Sequence, residues 1–315
     1  MNRGEASDGD ALHTNNGPVM LSPHERLPPL GLMLLAFLSL FWGLNWPIMK
    51  IVLSEIPPLT FRSACLLLGG LGLLVIARLS RLNLGVPRGQ WRRLVTLSFF
   101  NVLGWNVFAV YGVLLLPSGR AALLGYTMPL WGTLLSVWLL GERLTPSRLL
   151  ALLLGVAGIV ALMGGSIEGM LRAPLGVACM LAAAWSWALG IVLMKRRPVD
   201  IPTTVLTGWM LFISGVPITA AALLLETERL AVPSFWPLFG LIYNIVIAFM
   251  FCYWAWNRIV LMVPVAVSSL SSLTTPLIGV LGGIIFLGEP LGWDEMVAAL
   301  LIVSAVATVS IKRTR

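Results

Sequence analysis

The chain has 315 residues, of which 58 % are hydrophobic and only 11 % charged, with a formal net charge of +8. A soluble domain carries about a quarter charged residues, so the composition excludes one, and long runs without Asp, Glu, Lys or Arg reach membrane-spanning length. The positive balance does not indicate nucleic acid, because the basic residues sit at the ends of apolar runs, where membrane topology accounts for them.

Residues 1–29 are polar, rich in Gly, Pro and Asn, and contain both histidines, His13 and His24. They predict a disordered tail and not a secretory signal, since they lack an apolar core. Ten apolar spans follow, over about 30–52, 57–79, 94–116, 118–140, 147–166, 173–195, 203–225, 235–257, 262–287 and 292–311. The first of them doubles as an uncleaved insertion signal. Short connections carry turn residues, among them Pro57-Pro58, Pro117-Ser118-Gly119 and Pro233. Cys65, Cys179 and Cys252 lie inside apolar runs and read as small hydrophobes. No disulfide, metal site or cofactor is expected.

Lys and Arg mark the cytoplasmic side of a membrane protein. With the N-terminus inside, that side carries Arg78, Arg81, Arg88, Arg92, Arg93, Arg143, Arg148, Lys195, Arg196, Arg197, Arg258 and the basic residues of both termini. The other side carries Lys50, Arg120, Arg172 and Arg229, and Arg62 stands just inside span two. Both termini are therefore expected in the cytoplasm.

A phrase occurs twice. Pro129-Leu130-Trp131-Gly132, ending in Gly141-Glu142, returns as Pro276-Leu277-Ile278-Gly279, ending in Gly288-Glu289, each position 147 residues on. Five spans per half is an odd number, so the second half runs inverted, as in many transporters. Arg143 and Arg148 are replaced by Pro290 and Glu295 in the second copy, which loses positive charge where its loop changes side. Looser matches join Phe100-Asn101 to Tyr243-Asn244 and Met49-Lys50 to Met194-Lys195. The predicted organisation is a tail (1–29), a first repeat (30–167) and a second repeat (172–312).

Phe41-Trp42-Gly43-Leu44-Asn45-Trp46-Pro47 with Lys50, Phe61-Arg62, and the two Pro…Gly-Glu phrases together resemble the drug/metabolite transporter superfamily in its ten-helix form with two EamA-type repeats. The resemblance covers residues 30–311. It implies an all-α membrane protein, two inverted five-helix repeats around a central cavity, and export of small metabolites across a bacterial inner membrane. The many Trp residues resemble the branch that exports aromatic and other neutral amino acids.

Pro47, Pro129, Pro217 and Pro276 lie within spans, and an interior proline frees the carbonyl four residues earlier. Inside a bilayer that carbonyl needs a neighbouring helix or a wet cavity. Pro47, Pro129 and Pro276 are read as kinks bordering the cavity, either hinges or static bends. Gly141-Glu142 and Gly288-Glu289 are helix stops whose acids would hold the N–H groups of the next helix or act as gates. Lys50 and Arg62 would draw a carboxylate to the external mouth, or reach the headgroups, with Glu55 as a structural partner. Cavity candidates are Asn45, Trp46, Asn101, Trp105, Tyr126, Trp185, Trp187, Trp209, Tyr243, Asn244, Trp254, Ser271 and Thr274. Helix packing is the competing role for each of them.

No acid lies in the middle of any span, so a carboxylate proton relay is not expected, and no central Lys/Arg cluster would clamp a phosphate. An uncharged, aromatic-rich cavity suits a neutral or zwitterionic solute. The expected partners are that solute and the bilayer, without nucleic acid, and a monomer suffices. The reading is an exporter of neutral amino acids working by alternating access. Its alternatives are a broad toxicant exporter and, with no histidine in the membrane, less readily an enzyme or receptor.

Overall fold

The computed structural model describes residues 29–141, 144–162, 174–196, 198–256 and 265–311. Apart from Pro29, the expected tail lies outside them. The described residues form ten helices: α1 (Pro29–Val52), α2 (Pro58–Leu79), α3 (Arg88–Leu115), α4 (two pieces, Ser118–Gly125 and Met128–Leu140), α5 (Pro146–Leu162), α6 (Pro174–Arg196), α7 (Thr203–Leu225), α8 (Phe235–Trp256), α9 (Val265–Leu287) and α10 (Trp293–Ile311). These correspond to the ten predicted spans. Seven are long and apolar enough to cross a membrane, and α5 and α9 contain shorter apolar stretches. The molecule is a multi-pass membrane protein.

Two elements depart from uniform α-helix. Span four breaks at Tyr126-Thr127, so Pro129 falls in the first turn of its second piece, where a missing N–H costs nothing. The predicted interior kink at Pro129 is thus a helix break, whereas Pro47, Pro217 and Pro276 do lie inside continuous helices. The second departure is a π-helical stretch in the middle of α3 (Ser98–Gly104) and another in α8 (Asn244–Phe251). Each adds a residue to the turn and rotates everything beyond it by about 100°. Carbonyls within the first stretch find partners on other helices: Ser186 Oγ donates to Phe100 O at 2.6 Å and Ser214 Oγ to Ser98 O at 2.9 Å. In the second, Trp42 Nε1 donates to Ala248 O at 3.3 Å.

The helices pack in a pattern that survives exchange of the two halves. α1 lies on α9 and α8, and α6, five helices later, lies on α4 and α3. α2 pairs with α7, and α5 with α10. Such exchange is what a two-fold relation between repeats produces. The α2–α7 contact is backbone-close. A Cβ at Gly70 would lie 2.7 Å from Phe212 N, and one at Gly208 would lie 2.9 Å from Leu74 Cγ. Lipid offers no hydrophobic drive between helices, so small residues that admit close van der Waals contact carry the association.

Candidate functional site

α1 places Trp42, Asn45, Trp46 and Met49 on one stripe by the i, i+3, i+4, i+7 spacing of a helix. The stripe forms one wall of a partly open cavity between the halves. α2 contributes Arg62, α3 Trp105, Asn106 and Ala109, and the break in α4 Tyr126 and Met128. From the second half come Trp187 of α6 and Ala248, Phe249 and Tyr253 of α8.

The aromatic rings form a continuous chain around this space. Trp42 meets Tyr253 at 5.8 Å between centroids, Tyr253 meets Trp187 at 6.0 Å, and Trp187 meets Trp105 at 5.2 Å. Trp105 then meets Trp46 at 6.5 Å, and Trp46 meets Tyr126 at 6.4 Å. Most of these contacts are edge-to-face, the arrangement the ring quadrupoles favour. The pockets left between them present ring faces and edges to a solute.

Three polar groups interrupt the aromatic wall. Arg62 is 2 % exposed. Its Nη2 donates to Met49 Sδ at 2.8 Å, its guanidinium lies 4.8 Å from the Phe61 ring centre and 5.6 Å from that of Phe249, and its Nε is unpaired. Asn106 donates Nδ2 to Val102 O at 2.9 Å and leaves Oδ1 without a donor. Asn45 Oδ1 is likewise buried without a donor.

Of the predicted cavity residues, Asn45, Trp46, Trp105, Tyr126 and Trp187 come together here. Arg62 does too, buried in the cavity wall one turn into α2, which corrects one expectation: the cavity is not uncharged. Lys50 neither pairs with Glu55 nor reaches outward. Its Nζ donates to Val113 O, Leu114 O and Leu116 O at 2.8–2.9 Å, closing the C-terminus of α3. Glu55 instead accepts from Ser234 N and Oγ at the start of α8.

Asn101 and Asn244 lie off the cavity and bond to backbone carbonyls, though Asn244 Oδ1 is buried without a donor. Asn101 donates to Trp187 O and Asn244 to Gly240 O. Tyr243 donates its hydroxyl to Phe41 O at 2.7 Å, and Trp209 its Nε1 to Leu84 O at 3.0 Å. Trp185, Trp254 and Thr274 are exposed. The side chain of Ser271 and all of Glu142 lie outside the described residues. Glu289 does hold a helix start, but not that of the next helix. It accepts from Ser118 N (2.6 Å), Ser118 Oγ (2.9 Å) and Gly119 N (3.1 Å), and so caps α4 of the other half. α10 is capped from within, by Gly292 N donating to Glu295 Oε2.

Sequence reasoning missed Trp42, Asn106, Phe249 and Tyr253 among the aromatic and polar lining residues, and the smaller or flexible Met49, Ala109 and Met128. Regular α-helical spacing puts Asn101 and Trp105 on one face with Phe108. Beyond the π stretch the face turns, so Trp105, Asn106 and Ala109 meet the cavity and Phe108 is exposed. In α8, Ala248, Phe249 and Tyr253, within and beyond the π stretch, line the cavity, and Tyr243 and Asn244 at its start do not. No sequence signal for the shift was read in either helix.

Helices paired across two duplicated halves, with an aromatic cavity enclosed between them, define a transport protein of the membrane. The chain belongs to the EamA-like transporter family, which matches residues 29–164 and again 174–311, one copy in each half. It is 26 % identical over 274 residues to the "Probable amino-acid metabolite efflux pump" of Salmonella typhimurium, covering 84 % of this chain and 89 % of that protein. It is 32 % identical over 201 residues to the aromatic amino acid exporter YddG of Ancylobacter novellus, covering 62 % and 67 %. A solved crystal structure shares the fold with a TM-score of 0.65 at 21 % identity, over 89 % of this chain and 96 % of the other.

Proposed function

We propose that this transporter is a secondary exporter of small neutral metabolites, foremost aromatic or other apolar amino acids, in a bacterial inner membrane. The observation that carries the reading is the run of aromatic rings lining a cavity between the two repeats. The names of the two relatives support the same substrate class. A buried cation in the wall opposes lipophilic cations, which sets the amino-acid reading above broad toxicant export. The family and its relatives are transporters, which supports a role without enzymatic chemistry.

The proposed organisation is a cytoplasmic tail (1–29) and two inverted repeats (30–167 and 172–312), with both termini in the cytoplasm. Transport proceeds by alternating access, one repeat moving against the other. The test is uptake into proteoliposomes of labelled Phe, Trp, Thr and Met beside a lipophilic cation, with and without a pH gradient. Saturable uptake of the amino acids alone is expected. Uptake of the cation alone overturns the reading in favour of drug efflux, and no uptake of any of them removes it.

A further inference from the structure

The polar atoms left unpaired around the cavity have a complementary partner in one class of molecule. We propose that Arg62, Asn45 and Asn106 form a receptor for the charged end of a free α-amino acid, with Arg62 taking the carboxylate and the two amide oxygens the ammonium. This rests on the exporter reading above and names the groups that hold the substrate.

A buried guanidinium ordinarily faces a carboxylate, since removing an ion from water without a counter-charge is strongly unfavourable. Arg62 has a thioether and two ring faces instead. Among the described residues, the only ion pairs are those of Arg120 with Asp294 and Glu295. Glu55, Glu226 and Glu289 are bound to helix starts. The missing acceptor therefore comes from a ligand. A guanidinium has five N–H donors in a flat fork whose geometry matches a carboxylate.

The amides supply the opposite half. Asn106 is 1 % exposed, and its bond to Val102 O fixes which end of the amide is oxygen, because a flipped amide would set two oxygens against each other. Its Oδ1 and that of Asn45 are buried acceptors without donors, and an ammonium has donors for both. Arg62, Asn45 and Asn106 line the same cavity, so the two subsites adjoin. Beyond them lie Trp46, Trp105 and Trp187, where an apolar or aromatic side chain is accommodated.

The decisive experiment measures binding of three ligands to the purified full-length protein by calorimetry: L-phenylalanine, 3-phenylpropionate (no ammonium) and 2-phenylethylamine (no carboxylate). The wild type is expected to bind phenylalanine at least tenfold more tightly than either analogue. Arg62→Met should lose tenfold or more on phenylalanine and phenylpropionate and nothing on phenylethylamine. Asn106→Leu and Asn45→Leu should show the reverse pattern, weakening phenylalanine and phenylethylamine while sparing phenylpropionate. Arg62→Lys keeps the charge without the fork and should fall between Met and wild type. The receptor is overturned if phenylalanine binds Arg62→Met as tightly as wild type, or if both analogues match phenylalanine on the wild type. The wild-type series decides even where a variant does not fold. Amino-acid uptake that persists in either case leaves the exporter reading standing. No binding of phenylalanine, together with no amino-acid uptake in proteoliposomes, removes both.

Discussion

Lys50 shows how one charge can be structural where position alone suggests function. Its ammonium meets three carbonyls of the last turn of α3, groups that a helix end leaves without partners. Charge-assisted bonds of this kind are worth about 1.5–3 kcal/mol each in favourable cases. Lys50→Met is therefore expected to lower stability by roughly 2–3 kcal/mol, read as a fall in thermal unfolding temperature in detergent, with substrate affinity retained. Glu55 makes the mirror-image contact at the start of α8. Donation from the Ser234 hydroxyl, and then from its N–H, holds the Glu55 carboxyl below its ordinary range. A lowered folded value means the link is intact above the ordinary carboxylate value and is lost as pH falls through the lowered one. Ser234→Ala removes the hydroxyl but keeps the backbone N–H, so it should raise the Glu55 titration only part of the way toward that of a free carboxylate, as followed by carboxyl NMR.

At the scale of the helix, the two π stretches do most to shape the cavity. They aim Trp105, Asn106, Phe249 and Tyr253 inward, and the first is held by hydroxyls from α6 and α7. Ser186→Ala leaves Phe100 O without that donor, at an expected loss of about 1–2 kcal/mol. Because the register of α3 is set there, the same change should weaken transport more than a comparable Ser→Ala at exposed Ser54. The α2–α7 seam has no slack. Gly70→Ala drives a methyl into the backbone of α7 and is expected to destabilise by about 1–3 kcal/mol, measured by thermal unfolding. Helix propensity by itself would favour the alanine, so a gain in stability would contradict the packing described.

Across the whole molecule, the bonds that carboxylates make between the halves, among the described residues, gather at one end. Glu226 of the second half accepts from Leu59 N and Thr60 N at the start of α2, and Glu289 from the start of α4. Glu55 of the first half holds the start of α8, and Arg120 reaches Asp294 and Glu295 of α10. In the proposed orientation this is the external side. Opening that side separates these pairs, so weakening them should shift the population toward the outward-open form. Arg120→Ala combined with Glu289→Gln is expected to lengthen the distance between spin labels at Ser54 and Val232, measured by pulsed electron paramagnetic resonance on a cysteine-free background. An unchanged distance would mean that these contacts do not hold the external side shut.

The spans, the duplication and the cavity role of Asn45 and Trp46 were legible in the sequence, because the first two depend on local periodicity or on repetition within the chain and the last on an ordinary helix. Trp46 and Asn45 reach the cavity as an ordinary helix would carry them. Asn101 and Asn244 do not: they sit within or at the start of the π stretches and donate to Trp187 O and Gly240 O, while the residues beyond turn to the cavity. Arg62 could be recognised as an unusual cation, but its burial between Met49 and Phe249 depends on a chain segment almost two hundred residues away. Lys50 and Glu289 likewise find partners 63 to 171 residues distant. Apolar length alone makes these segments membrane helices, since a bilayer leaves the backbone no other partner than itself. Which face of each helix meets the cavity, and which acid caps which helix, is decided only when the two halves pack, because those groups must satisfy one another through space.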